Sequence, residues 1–280
     1  MSIRAKRKLQ RFFAVFLPLF IFLILIVFPF YWTFVTAITP ENMVIKLPIQ
    51  YFPQNPTMEN FQNAWGNGKY QQYFFNSIIT SFATVLLVSF CAILGGYALS
   101  RFKFRGKKAF LLVLLLTQML PSIVLVVPLF QIFLNMGLIN THLSLVFTYS
   151  ATQIAFCLIM MSGFFNGLPP QLEEAGRIDG CSLFGAVFRI ILPSALPGVI
   201  ATGAYAFVGA WNDFFYALSF INNAKLFTLT VGLNQLKGEF TVQYANLAAG
   251  AIISLIPVLL LFAYIQKFLV AGLASGAVKG

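Results

Sequence analysis

The chain has 280 residues, of which 59% are apolar and only 9% charged, with a formal net charge of +11 and a mean hydropathy of +0.86. A soluble globular domain carries about 25% charged residues, so this composition excludes one and places the chain in a membrane. The positive excess is no nucleic-acid footprint, because no basic cluster is interleaved with stacking aromatics on a soluble module.

A bilayer core of about 30 Å needs about 20 mainly apolar residues per helix. Six stretches meet that length: Phe12 to Ile38, Ile78 to Leu99, Ala109 to Leu134, Leu143 to Phe165, Leu196 to Leu218 and Leu247 to Val270. The expectation is an all-α membrane protein of six transmembrane helices, with residues 1–280 as one domain. The first stretch follows a basic head (Arg4, Lys6, Arg7, Lys8, Arg11) and so resembles a signal peptide. Its run is longer than a signal sequence uses and no small-x-small cleavage site closes it, which predicts an uncleaved first span.

Fourteen of the 18 Lys and Arg residues fall at the N-terminus, between the second and third spans (Arg101 to Lys108), between the fourth and fifth, and at the C-terminal end. Short connections rich in Lys and Arg stay in the cytoplasm, so both termini are expected there. The same cations suit contact with anionic membrane lipid.

Between the first two spans, the connection at about 39–76 carries PENM, FPQNPTMENF and WGNGKY. Its Pro, Asn and Gly favour turns and its aromatics suit the membrane interface. It is either a solvated outer loop or a docking surface for an extracytoplasmic partner, and the polar connection at about 222–244 has the same two readings. Pro121 and Pro128 lie in the third span, where each removes a helical hydrogen bond and favours a kink. His142, the only histidine, closes the turn NMGLINTH with no acid or ligand beside it. Cys91, Cys157 and Cys181 are odd in number and far apart, which argues against a disulfide frame or a zinc site.

Of the seven carboxylates, Glu41, Glu59 and Glu239 fall in outer connections and Glu173, Glu174 and Asp179 in one cytoplasmic stretch. Only Asp213 falls in a span. That is too little to assemble a catalytic constellation or a proton relay, and the chain has no G-x-x-x-x-G-K-[ST] phosphate cradle. No catalytic residue, metal or cofactor is expected in this chain, so its driving force comes from elsewhere. Asp213 ends AWND, about 24 Å along a fifth span counted from Pro197 at the helical rise. Trp211, Asn212 and Asp213 either anchor the interface or line a solute path. In the second case Trp would stack on sugar C–H faces while Asn and Asp exchange hydrogen bonds with hydroxyls.

The cytoplasmic stretch at about 168–193 contains EEAGRIDGCSLFGAVFRIILP. Pro169 and Pro170 suit a helix start, and Glu173 and Glu174 then face the positive end of the helix dipole. Gly180 is placed to end that helix in a left-handed conformation, and Ser182 to cap a second one. In the second helix Phe184, Val187, Phe188 and Ile191 follow an amphipathic spacing. The expected unit is a helix-turn-helix, with small Ala175 and Gly176 open to close approach by another surface.

These residues resemble the EAA loop of ATP-binding-cassette importer permeases, whose pattern is E-A-A, three residues, G, nine residues, I, one residue, L-P. Here it reads Glu174, Ala175, Gly176, Gly180, Ile190, Leu192 and Pro193. Gly176 replaces the usual Ala, a change worth about 1 kcal/mol of helix propensity. The stretches GFFNGLPPQLEEAGRIDG, AWNDFFYAL, LTVGLN and VAGLASGAVKG extend the likeness to the carbohydrate-importing, maltose-transporter type with a short six-helix permease.

The resemblance implies a type I importer permease fold that carries sugar, an oligosaccharide in particular. It implies a second related permease, two cytoplasmic ATPase subunits that hold ATP and Mg, and an extracytoplasmic solute-binding protein. It places the chain in a bacterial or archaeal cytoplasmic membrane. Glu173, Glu174, Ala175, Gly176, Asp179, Gly180, Ile190, Leu192 and Pro193 would then dock on the ATPase, and Lys279 and Gly280 would approach it. Two rival readings stay open. One is a related importer for a polyol, glycerol phosphodiester or amino acid, although phosphoester import would call for cations in the outer half of the spans, where none is found. The other is a non-conducting assembly subunit.

Overall fold

The computed structural model describes residues 12–66, 69–236 and 242–277. Among these the regular elements, in chain order, are a π-helical turn Phe12–Phe16 continuing into α1 (Leu17–Ile38), then α2 (Glu59–Gly66), α3 (Lys69–Arg101), α4 (Lys107–Thr117) and α5 (Ser122–Asn135). α6 (His142–Asn166), α7 (Gln171–Ile178) and the mixed α/π helix α8 (Leu183–Ser194) follow. The rest are α9 (Leu196–Asn212), α10 (Phe215–Phe220), α11 (Leu229–Gln235) and α12 (Tyr244–Ala277). No strand occurs among the described residues.

Four helices are long and apolar enough to cross a membrane, and the number rises to six if each of two bent pairs is one span. The expected third span is such a pair: α4 and α5 meet at 98° instead of forming one helix through Ala109 to Leu134. Pro121 stands immediately before α5, where its ring cannot continue the preceding helix. Two long-range hydrogen bonds tie the break to neighbouring helices. Gln118 Nε2 donates to the Thr152 carbonyl at 3.0 Å and the Tyr216 hydroxyl to the Ser122 carbonyl at 3.3 Å.

The expected fifth span, Leu196 to Leu218, is also shorter than the sequence suggests. α9 ends at Asn212, Asp213 is extended, and α10 begins at Phe215. α8 meets α9 at 79°.

The described residues divide into two compact units, one drawn from Met1–Tyr70 with Leu233–Leu255 and the other from Gln71–Gly232 with Ile256–Gly280. In the first, Ala37, Ala64, Ala248 and Ala249 form a buried cluster. Small side chains of this kind let helix backbones approach closely where a hydrophobic driving force between helices is weak. The Asn60 amide donates to the carbonyls of Ala37 and Thr39, both at 2.8 Å, and so satisfies the end of α1. The Glu41 carboxylate does the converse for α12, accepting from the backbone N–H groups of Tyr244 at 2.7 Å and Ala245 at 2.9 Å. A negative group is favoured at the positive end of a helix. Along the first apolar stretch no residue of the most hydrophobic window is buried, as suits a helix whose solvent is lipid or a neighbouring subunit.

In the second unit α3, α6 and α9 are the framework. Gly96 lies against Met161, and Gly198 against the Phe164 ring, with no room for a Cβ at either glycine. One core combines Val88, Ala92 and Tyr97 of α3 with Cys157, Met161 and Phe165 of α6, Val187 and Ile191 of α8, and Ala206 of α9. The helix-turn-helix is therefore rooted in the same core as the spans. A second core gathers Phe133, Leu145, Tyr149, Tyr216 and Phe220. At its edge the turn before α6 docks on the connection after α10. Asn140, in the left-handed region at φ 61°, accepts from the Asn223 N–H at 3.1 Å, and His142 Nε2 lies 3.0 Å from the Leu226 carbonyl.

Candidate functional site

The helix-turn-helix has the outline expected from its sequence. Pro170 precedes α7, whose first turn carries Glu173 and Glu174. At its end Gly180 has φ 86°. The Cys181 N–H bonds to the Gly176 carbonyl at 3.0 Å and the Gly180 N–H to the Arg177 carbonyl at 3.1 Å, the paired closure that a left-handed glycine permits. The Ser182 hydroxyl accepts from the Gly185 N–H at 3.2 Å and caps α8.

The facing of the side chains departs from expectation in three places. Gly176 is buried, and a Cβ placed on it would sit 2.3 Å from Ile190 Cδ1 and 3.7 Å from Ala186 Cβ. The surface approaching Gly176 is therefore α8 of the same unit. Ala175, beside it, is exposed and remains open to a partner.

The acidic island also divides. Glu174 and Asp179 are exposed, whereas Glu173 turns inward. Its Oε1 accepts from the Tyr97 hydroxyl at 2.8 Å and its Oε2 lies 3.6 Å from Arg101 Nε. The third departure is the apolar stripe of the second helix. Val187 and Ile191 are buried while Phe184 and Phe188 are 68% and 46% exposed, so the four do not share one face. A π-helical turn over Val187–Ile191 holds one residue more than an α turn and shifts the register of the side chains. Leu192 is half-buried and Pro193 exposed; Pro193 lies within the last turn of α8. Lys279 and Gly280 lie outside the described residues.

At the end of α9 the structure assigns different surroundings to the three residues of the WND sequence. Trp211 is buried, stacked on Phe207 with centroids 5.5 Å apart and edge-on to Phe74 at 5.6 Å. One ring face is therefore occupied by protein. Asn212 is exposed. Asp213 is half-buried and tied on both sides: Oδ1 accepts from the Tyr149 hydroxyl at 2.8 Å and from the Ala217 N–H at 3.1 Å, and its carbonyl accepts from the Thr230 hydroxyl. Asp213 thus caps α10 and fixes the helix break that leaves Asn212 outward.

Sequence reasoning did not identify Tyr97 and Arg101 as partners of the helix-turn-helix. The one signal available was that YALSR ends a span on the side where the acidic stretch is also expected.

Residues 88–275 match the family described as "Binding-protein-dependent transport system inner membrane component", and the chain belongs to it. It is 36% identical over 271 residues to the probable ABC transporter permease protein YurM of Bacillus subtilis (strain 168), covering 95% of this chain and 88% of that protein. It is 33% identical over 253 residues to the sulfoquinovosyl glycerol transport system permease protein SmoH of Agrobacterium fabrum, covering 90% and 89%. Among solved structures, a chain of a bacterial ABC transporter involved in the import of the acidic polysaccharide alginate superimposes with a TM-score of 0.81. The identity there is 20%, with 95% of this chain and 98% of that one covered. The fold is that of an ABC importer permease, a membrane transport subunit and not a catalytic enzyme.

Proposed function

We propose that this chain is one of two permease subunits of an ATP-driven sugar importer, an oligosaccharide importer in particular. The observation that carries the reading is the exposed face of α7. Glu174 and Ala175, the first two positions of the EAA pattern, stand outward with Asp179 beside them, on a helix-turn-helix rooted in the core of the spans. The relative SmoH, named for sulfoquinovosyl glycerol transport, supports the solute class.

In this reading both termini face the cytoplasm, and two partner ATPases bind ATP and Mg and grip the 168–193 unit, Lys279 and Gly280 beside it. A solute-binding protein delivers sugar at the outer side, near the 39–76 and 222–244 connections. Closure of the ATPases displaces the unit and tips the spans between inward-open and outward-open states. Such displacement drives transport only if the ATPases hold the two states with different affinity. Asn212 is the path residue of this proposal, and Trp211 and Asp213 hold it in place.

The test is to purify the complex through a tag on this chain, reconstitute it with its binding protein, and screen three probes for stimulated ATP hydrolysis and uptake. The probes are sulfoquinovosyl glycerol, alginate trisaccharide and maltotriose, with a glycerol phosphodiester and a polyol as comparison solutes. Copurification of ATPase subunits with stimulation by a sugar is expected. Stimulation by glycerol phosphodiester or a polyol alone would replace the sugar, and absence of any ATPase partner would overturn the reading.

A further inference from the structure

The end of α3 and the entry to α7 are joined by more than the inward glutamate. Besides its approach to Glu173, Arg101 donates from Nη2 to the Leu168 carbonyl at 3.1 Å. From the adjacent position the Ser100 hydroxyl donates to Asn166 Oδ1 at 2.8 Å. The Tyr97 ring is wedged edge-on against Phe165, with centroids 5.9 Å apart at 90°, and against Phe102 at 6.1 Å. Three residues of one helix end thus hold residues 165–173, the segment on which α7 is mounted.

The charges in this junction are largely removed from solvent, with side-chain exposures of 13% for Arg101 and 16% for Glu173. A buried pair of this kind contributes little when formed but is costly to break, because each charge is then left without a partner in a poorly solvating place. Tyr97, 6% exposed, would lose its acceptor at the same moment. Separation of α7 from α3 therefore meets resistance at each of these contacts, whereas displacing the two together breaks none of them.

We infer that Tyr97, Arg101 and Glu173 form a latch that makes the end of α3 part of the lever, so that a push on the exposed face of α7 reaches α3 directly. These are positioning residues: none lies on the face offered to the ATPase. The inference rests on the coupling role proposed for the 168–193 unit and adds to it the route by which the movement enters the spans.

The experiment uses the reconstituted complex with binding protein and compares uptake per ATP hydrolysed for sulfoquinovosyl glycerol, alginate trisaccharide and maltotriose. In Tyr97→Phe and Arg101→Gln the ATPase subunits still copurify and ATP is still hydrolysed, while uptake per ATP falls about fivefold or more, the lower end of ordinary coupling between sites. Arg101→Lys, which keeps the charge, recovers part of the loss. An unchanged ratio in both variants overturns the latch. The double variant Ser100→Cys/Asn166→Cys provides an independent reading should a latch variant fail to assemble. If α3 and the 165–173 segment move together, oxidative cross-linking leaves coupled uptake intact. Uptake lost on cross-linking and restored by dithiothreitol overturns the latch. A wild-type complex that couples normally alongside either overturning result sinks the latch alone. A wild type that recruits no ATPase sinks the coupling proposal and the latch with it.

Discussion

Gly176 shows how one departure from a family pattern is absorbed. The glycine leaves room for the tip of Ile190, which occupies the space an alanine methyl would need. Gly176→Ala should gain about 1 kcal/mol of helix propensity while forcing the Ile190 ethyl group into another rotamer, costing about 0.5–1.5 kcal/mol if it must leave a staggered well. The expected net change is small, and adding Ile190→Val should recover any loss. Gly176→Leu, by contrast, should drive α7 from α8 and lower both the unfolding temperature in detergent and uptake. Fluorescence-monitored unfolding of the three variants checks the order. That the glycine sits in a close packing site was legible from its place in the pattern. Which surface packs there was not, because Ile190 reaches it only through the turn at Gly180. Glu173 repeats the point: its helix position could be read locally, its facing depends on Tyr97, 76 positions away.

At the scale of elements, apolar length sufficed to find the first, second, fourth and last apolar helices; the first and fourth end within a residue of the expected limits, whereas the second begins at Lys69, nine residues before Ile78, and the last continues to Ala277. The breaks were the harder part. Pro121 announced a kink, but not a 98° bend, which is tied by contacts distant in sequence: Gln118 donates to the Thr152 carbonyl of α6 and Tyr216 of α10 to the Ser122 carbonyl. The end of α9 has no proline at all, and its position is set by Asp213. Asp213→Ala removes the cap of α10 and leaves the buried Tyr149 hydroxyl without its acceptor, which should cost about 1–3 kcal/mol. Asp213→Asn, which retains an acceptor oxygen, should cost less. Thermal unfolding separates the two, and equal losses would mean that charge, not hydrogen bonding, holds the break.

For the whole molecule, composition and the Lys and Arg distribution led to a multi-pass helical protein, and family membership agrees. The division into two compact units could not be read, because the chain of the first unit is discontinuous and its closure depends on long-range contacts. Foremost among these is Glu41. Glu41→Ala removes the acceptor at the start of α12 and should destabilise the first unit by about 0.5–2 kcal/mol, as for other lost helix caps, with Glu41→Gln milder; limited proteolysis between residues 39 and 58 reports the difference.

The same carboxylate sets an order of events during synthesis. Glu41 leaves the ribosome 203 residues ahead of the Tyr244 amide it will hold, a wait of about 10–40 s at about 5–20 residues per second. Throughout that interval the Glu41 carboxylate must be kept by water, lipid headgroups or a chaperone, while Asn60 can already hold the end of α1. A contact made by an early residue is thus among the last to form.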